Sequence, residues 1–207
     1  MAKFLSNFER DQLVEVANIG ADHASTALSQ MVKKRVSIRV PEAYVDRIEK
    51  LVKYMGDPKD LVTAVLLKIL GDAPGIMLLI FTPASALNLT SLLTKKRQKN
   101  PKVLDEIDRS ALKELGNILS GASMTALARF LNINLLQSIP DIATDMLGAL
   151  TDNVLAEIGR ESELALVLKV NFFINEVNID ANLFLLFNSI STDKILDMTR
   201  KKIFQSA

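Results

Sequence analysis

Apolar residues recur along the chain with two different periods, and the switches between them mark its elements. From Asn7 to Met31, Leu13, Val16, Ala17, Ala24, Ala27, Leu28 and Met31 fall on one face of a 3.6-residue repeat, which predicts a long amphipathic helix with Asn7 as N-cap. Val36, Ile38 and Val40 then alternate with Ser37 and Arg39, the mark of a half-buried strand that Pro41 is expected to end. A second helix is predicted from Ala43 to Met55, closed by Gly56 and Asp57-Pro58. Two apolar runs, Leu61 to Leu70 and Gly75 to Thr82, flank Gly71-Asp72-Ala73-Pro74 and predict a hairpin. A third helix starts at Pro83 and Ala84 and reaches about Leu93.

The second half repeats this order. A helix is predicted over about Asp105 to Phe130, a strand near Leu135 to Ile139, and a helix over Thr144 to Ile158. Strands over Glu163 to Phe173 and Leu183 to Ser189, then a helix from Thr192 to about Phe204, complete it. Residues also correspond one by one at an offset of 99: Glu15 with Glu114, Asn18 with Asn117, Ile19 with Ile118, Leu28 with Leu127, and Pro41 with Pro140. The chain is an internal duplication. We expect a single α+β domain over 1–207, with repeat one at about 7–93, a basic linker at about 94–102 and repeat two at about 103–204. The copies would pair about a pseudo-two-fold axis and join their strands into one mainly antiparallel sheet packed with long helices.

Composition narrows the chemistry. The 207 residues are 49% apolar, enough for a substantial core, and the net charge of +1 gives no global field for nucleic acid or anionic lipid. No cysteine is present, which excludes disulfides, thiol catalysis and thiolate metal sites. The N-terminus carries charges where a secretory signal needs apolar residues, and the most apolar stretch, Gly75 to Phe81, is far shorter than a membrane helix. A cytoplasmic protein without membrane insertion is expected. The basic run from Thr94 to Lys102 lacks interleaved aromatics and reads as a solvated connection, and Arg200-Lys201-Lys202 reads as charge favoured at a helix C-terminus.

The duplicated polar pattern is Asp11-x3-Glu15-x2-Asn18 and Ser110-x3-Glu114-x2-Asn117. Spacings of three and four put these side chains on one helical stripe opposite the apolar face, where they are expected to be exposed. A solvated helix face would suffice for one copy. Asn, however, is disfavoured inside helices, and here it stands mid-helix twice with Glu one turn before. His23, the sole histidine, has Ala122 as its counterpart, so no His-based pair is duplicated, and one carboxylate with one amide makes no metal shell. A carboxamide can instead orient water against phosphorus, since phosphoryl transfer depends chiefly on positioning and electrostatics.

The same residues, in EVANIGADHASTAL and ELGNILSGASMTAL, resemble the CheC family of chemotaxis phosphatases over nearly the whole chain. The resemblance implies hydrolysis of the aspartyl phosphate on a CheY-like receiver, with Mg2+ held by that receiver and no cofactor of the chain's own. It implies that Asn18 and Asn117 position the attacking water, that Glu15 and Glu114 pair with the receiver's lysine, and that Asp11 and Ser110 begin the motifs. Two motif copies without an added switch domain fit CheC better than FliY or CheX. The family also binds a CheD-like receptor deamidase through a helix in the second half; Thr144-Asp145-Met146 is similar to that segment, with Asp145 as the implied contact and Asp46 as its duplicate. A weakly catalytic or non-catalytic adaptor for that deamidase is therefore the alternative function. Where the family commonly has Gly before Asn, copy one has Ala17 and copy two Gly116, and Asp22 stands opposite Gly121. Closer approach at Gly116 and the extra charge of Asp22 predict that Asn117 outweighs Asn18.

Overall fold

The computed structural model describes residues 5–95, 103–159, 164–174 and 179–206. The predicted basic linker lies, apart from Thr94 and Lys95, outside the described residues, as does Glu163. Helix α1 spans Asn7–Val32. Its N-cap is Ser6 rather than Asn7: Ser6 Oγ accepts from Glu9 N–H at 3.2 Å while Glu9 accepts from Ser6 N–H at 2.8 Å, so both orphan donors are satisfied. Helix α4, Glu106–Leu131, starts on the matching box of Asp105 and Asp108.

Strand β1 runs from Ser37 through Pro41 to Arg47, so the helix expected over 43–55 is replaced by strand, a 3-10 turn at Ile48–Lys50 and a single turn, α2, at Val52–Met55. Pairing decides this. Residues 42–47 lie against 164–169 of strand β6, Leu164–Ile174, and Pro41 falls in a register break where its missing N–H costs no ladder bond. The hairpin forms as read, with β2 at Leu61–Gly71 and β3 at Gly75–Phe81, followed by helix α3 at Pro83–Thr94.

In the second copy the expected strand is split into β4, Leu135–Gln137, and β5, Asp141–Met146. Thr144, Asp145 and Met146 are therefore strand, and helix α5 begins only at Leu147, ending at Gly159. Two tertiary bonds fix that start: Leu147 N–H donates to Asp60 O at 2.8 Å and Gly148 N–H to Pro58 O at 2.9 Å, satisfying donors that a helix start leaves without intrahelical partners. Strand β7, Ile179–Phe187, and helix α6, Ser189–Ser206, close the chain. The last turn of α6 contains no basic residue; Arg200 lies inside the helix and pairs with Glu9 of α1 at 2.6 Å.

All described pairings are antiparallel, in the order β1-β6-β7-β3-β2-β4, with β5 also on β2. β3 and β7 meet at the centre, and each copy's first strand pairs with the other copy's second strand. The pseudo-two-fold reaches the irregularities. Between the Arg39–Asn171 and Glu42–Lys169 pairs, β1 uses three steps against two; between Gln137–Ile69 and Asp141–Leu66, the second copy uses four against three. Each copy thus inserts one extra residue around its proline, Pro41 or Pro140.

Two apolar layers enclose the sheet. Val65, Leu67, Met77 and Leu79 face α1, α3, α4 and α6, whereas Val62, Ala64, Ile76 and Leu78 face α5 and the 48–55 segment. Burial on both faces is why the central strands read as unbroken apolar runs. Among the described residues no helix is long and apolar enough to cross a membrane.

Candidate functional site

The two motif helices lie on the same face of the sheet and cross at their small residues. A Cβ on Gly20 would stand 3.1 Å from Ala122 O, 3.1 Å from Ala126 Cβ and 3.2 Å from Ser123 Cα, so only glycine lets α1 come this close to α4. Leu13, Ala17, Ala24 and Leu28 on α1, and Leu112, Leu115, Met124 and Leu127 on α4, enter one core. That burial turns the opposite stripes outward. Asp11, Glu15, Ser110 and Glu114 are exposed, and Asn18 and Asn117 are half-buried.

Asn18 sits against β1. Its Oδ1 accepts the Val40 N–H at 2.9 Å, a donor at the register break and hence outside the β1–β6 ladder. Ser25 and Ser29 continue the seam, Ser25 Oγ donating to Val36 O and Ser29 Oγ accepting Val36 N–H at 3.0 Å. This bond also fixes the Asn18 amide, because Oδ1 must face the strand and Nδ2 is left to point away from it. An open groove of about 690 Å³ runs between Asn18, Asp22 and Ser25 on one side and residues 35–40 on the other.

Asn117 is held differently. Ile139, the counterpart of Val40, is 89% exposed where Val40 is 3% exposed, so the second strand has swung out at this point. Ser138 takes over the break, its N–H donating to Lys68 O at 2.9 Å and its Oγ accepting Lys68 N–H at 2.9 Å. What reaches Asn117 is the Gln137 amide, 3.5 Å from both the backbone oxygen and Oδ1. At that length these contacts are weak. Among the described residues the Asn117 carboxamide has only this long contact, whereas the Asn18 carboxamide is held by the 2.9 Å bond from Val40 N–H.

The expected role of Gly116 is corrected by its surroundings. It is buried, and a Cβ there would stand 2.8 Å from Val65 Cγ1 of β2, so the glycine lets α4 settle on the sheet rather than admit a partner. Gly121 does border the surface, with only Gln137 Oε1 at 3.8 Å from an added Cβ. Asp11 makes a surface pair with Arg10 at 3.7 Å. His23 is exposed and lines an apolar groove of about 640 Å³ between α1 and α4 with Val16, Ile19, Ala126 and Phe130.

Asp145 is separated from these residues. The register sets it opposite Val62, which belongs to the core on the far side of the sheet from the motif helices. It is exposed on a strand that, among the described residues, pairs with β2 alone, and its Oδ1 accepts the Met146 N–H at 2.7 Å. Its duplicate Asp46 serves the fold: Tyr54 Oη donates to Asp46 Oδ2 at 2.7 Å, and this bond foremost, aided by the Arg47 N–H and nearby Lys50 and Lys53, holds the carboxyl below its usual range against some desolvation. Among the described residues no group of three His, Cys, Asp or Glu side chains is placed to hold a metal ion.

What sequence reasoning missed is the strand contact of Asn18 and its replacement at Asn117 by the longer contact of Gln137. Pro41 and Pro140 were the available signal, since a proline shared by both copies beside a strand marks a break whose free donors need side-chain partners.

Comparison with known proteins matches the same segments. The family model for the CheC-like family matches residues 8–45 and 107–142, each a motif helix with the strand that follows. The chain is 31% identical over 191 residues to the CheY-P phosphatase CheC of Bacillus subtilis strain 168, covering 90% of this chain and 91% of that one. In fold it resembles Thermotoga maritima FliY, with a TM-score of 0.76 at 18% identity over 96% of this chain and 98% of that one. It also resembles a chain of the CheX-CheY-BeF3-Mg+2 complex from Borrelia burgdorferi, with a TM-score of 0.56 at 15% identity over 85% and 99%. Two motif helices on one face of a two-fold antiparallel sheet, matched by the family model in both copies and across the chain by a relative above 30% identity, show that the chain belongs to the CheC-like family.

Proposed function

We propose that the chain is a chemotaxis phosphatase that accelerates hydrolysis of the aspartyl phosphate on a CheY-like receiver. The observation that carries this reading is the exposed stripe of Glu and half-buried Asn presented twice on one face of the sheet, Glu15 with Asn18 and Glu114 with Asn117. Support comes from the 31% identical relative, named a CheY-P phosphatase, and from the like-folded CheX chain, whose structure is a complex with CheY. The Asn carboxamide accepts a hydrogen bond from water and directs its oxygen in line with phosphorus. The aspartyl oxygen–phosphorus bond breaks, the receiver recovers its carboxylate, and the water's protons leave with inorganic phosphate. Glu15 or Glu114 meets a lysine of the receiver, and Mg2+ on the receiver neutralises charge on the phosphoryl oxygens. No group on this chain needs to take up a proton.

The test follows decay of phosphorylated receiver with Mg2+ and compares wild type with the Asn18→Ala, Asn117→Ala double variant. Acceleration by wild type and its loss in the double variant are expected; equal decay would sink the assignment.

A second reading, an adaptor for a CheD-like deamidase, is favoured by one observation: Asp145 is exposed on the far face, while its duplicate Asp46 is engaged by Tyr54. Asp145→Lys should abolish capture of the deamidase and leave receiver decay within about twofold, as expected for an exposed residue remote from the stripe. Retained capture would dismiss Asp145 as the contact.

A further inference from the structure

Each motif stripe extends one turn further than the polar pattern. Phe8 precedes Asp11 by three residues and Ile107 precedes Ser110 by three, and both are second residues of their helices. At about 100° per residue, positions 8, 11, 15, 18 and 22 fall within an arc of about 80°, as do 107, 110, 114, 117 and 121. Phe8 is 53% exposed and Ile107 48% exposed, and neither belongs to an apolar core. The helix starts do not need them. Leu5 and Leu104, the residues just before the caps, provide the inward apolar contact, and the capping boxes are closed by Ser6 with Glu9 and Asp105 with Asp108.

Single exposed apolar residues are ordinary on protein surfaces. Here two bulky ones occupy equivalent positions on the two motif stripes. They stand on first turns that reciprocal caps hold rigid, and in α1 the Arg200–Glu9 pair adds a third tie at 2.6 Å. Caps of this kind fix the backbone of a first turn, so each side chain leaves the helix from a set position, which suits a docking contact.

We propose that Phe8 and Ile107 are docking residues for the receiver, each seating in an apolar spot on the receiver surface roughly 15 Å along the helix from the water-orienting Asn. This rests on the reading that the Glu-Asn stripes meet a phosphorylated receiver, and it adds a division of labour. The polar end of the stripe acts at phosphorus, and the apolar end supplies affinity without touching the reacting atoms. The occupant is the receiver because the apolar residues continue the stripe that would face it.

The test separates half-saturation from saturated rate. Phosphorylated receiver is titrated against fixed wild type and against the Phe8→Ser, Ile107→Ser double variant, and binding of beryllofluoride-loaded receiver is titrated in parallel without turnover. The double variant should raise half-saturation and Kd by about tenfold or more, the scale of losing one buried aromatic or branched side chain, with the plateau rate within about twofold. Phe8→Leu, Ile107→Leu should keep values near wild type, and unfolding midpoints should match, which distinguishes lost docking from a damaged fold. Unchanged half-saturation and Kd, or a lower plateau at unchanged half-saturation, would overturn the inference. So would a change confined to self-association, which would assign the pair to contact between two copies of the chain. If wild type binds loaded receiver without accelerating decay, the phosphatase reading fails while the shift in Kd still decides the docking role.

Discussion

Asn18 Oδ1 and the Val40 backbone N–H, 2.9 Å apart, join the first motif helix to the edge strand at its register break. The corresponding pair in the second copy, Asn117 and Ile139, makes no such bond among the described residues, because Ile139 has turned out to 89% exposure. A residue proposed for chemistry is thus also a fold contact in one copy and not in the other, and the two Asn→Ala changes should separate in stability. Asn18→Ala leaves the buried Val40 donor unpaired and should cost about 1–2 kcal/mol, whereas Asn117→Ala should cost less than about 0.5 kcal/mol. Urea unfolding of the two variants measures the difference, and equal midpoints would show that the Val40 bond carries no weight.

The phosphatase reading predicts the opposite order for activity. Orienting water requires the Asn oxygen to accept from it, and in Asn18 that oxygen already faces β1, while among the described residues the Asn117 carboxamide has only the 3.5 Å contact of Gln137. Receiver decay should fall by about tenfold more with Asn117→Ala than with Asn18→Ala, a difference of about 1.4 kcal/mol in barrier. A larger loss with Asn18→Ala would reverse the ranking of the two sites.

Gly116→Ala tests the corrected role of that glycine. Alanine gains about 1 kcal/mol of helix propensity, but its Cβ would meet Val65 Cγ1 at 2.8 Å inside a fully buried layer. Overpacking should win by about 1 kcal/mol, lowering the midpoint of chemical unfolding. A stabilised variant would mean that α4 can lift from β2 without loss.

Glu9 gives the fold a defined pH response. Desolvation alone would raise its carboxyl, but the Ser6 N–H, the Ser6 hydroxyl and Arg200 outweigh it and hold the folded value below the ordinary one. A depressed folded pKa contributes stability in full above the unfolded value of 4.5, and that stability is lost as pH falls through the folded value. Glu9→Gln should therefore be less stable than wild type by about 1–2 kcal/mol at pH 7, with the gap closing below about pH 4.5. A gap that stays constant from pH 7 to pH 3 would show that ionisation of Glu9 does not contribute.

The helices α1, α3 and α4 and the β2–β3 hairpin were legible because each carries its own signal: a 3.6-residue apolar period, or two apolar runs around a Gly-Asp-Ala-Pro turn. The segments 43–47 and 144–146 were not, because their conformation is set by partners distant in the chain. Arg47 to Glu42 pair with 164–169, Met146 pairs with Leu61, and the start of α5 depends on carbonyls of Pro58 and Asp60. Local propensity contains no information about those partners.

The sequence by itself determined the duplication, the order of most elements and the Glu-Asn stripes, because the offset of 99 and the helical spacing are properties of the chain alone. Only the tertiary structure decided that both stripes lie on one face of the sheet, that Asp145 lies on the other, and that Asn18 is tied to a strand while Asn117 meets the long contact of Gln137. Those outcomes depend on the crossing of α1 and α4 at Gly20, on pairing between the copies, and on how each copy satisfies the free donors at its proline break. All three are contacts between residues far apart in the chain, which no single helix or strand contains.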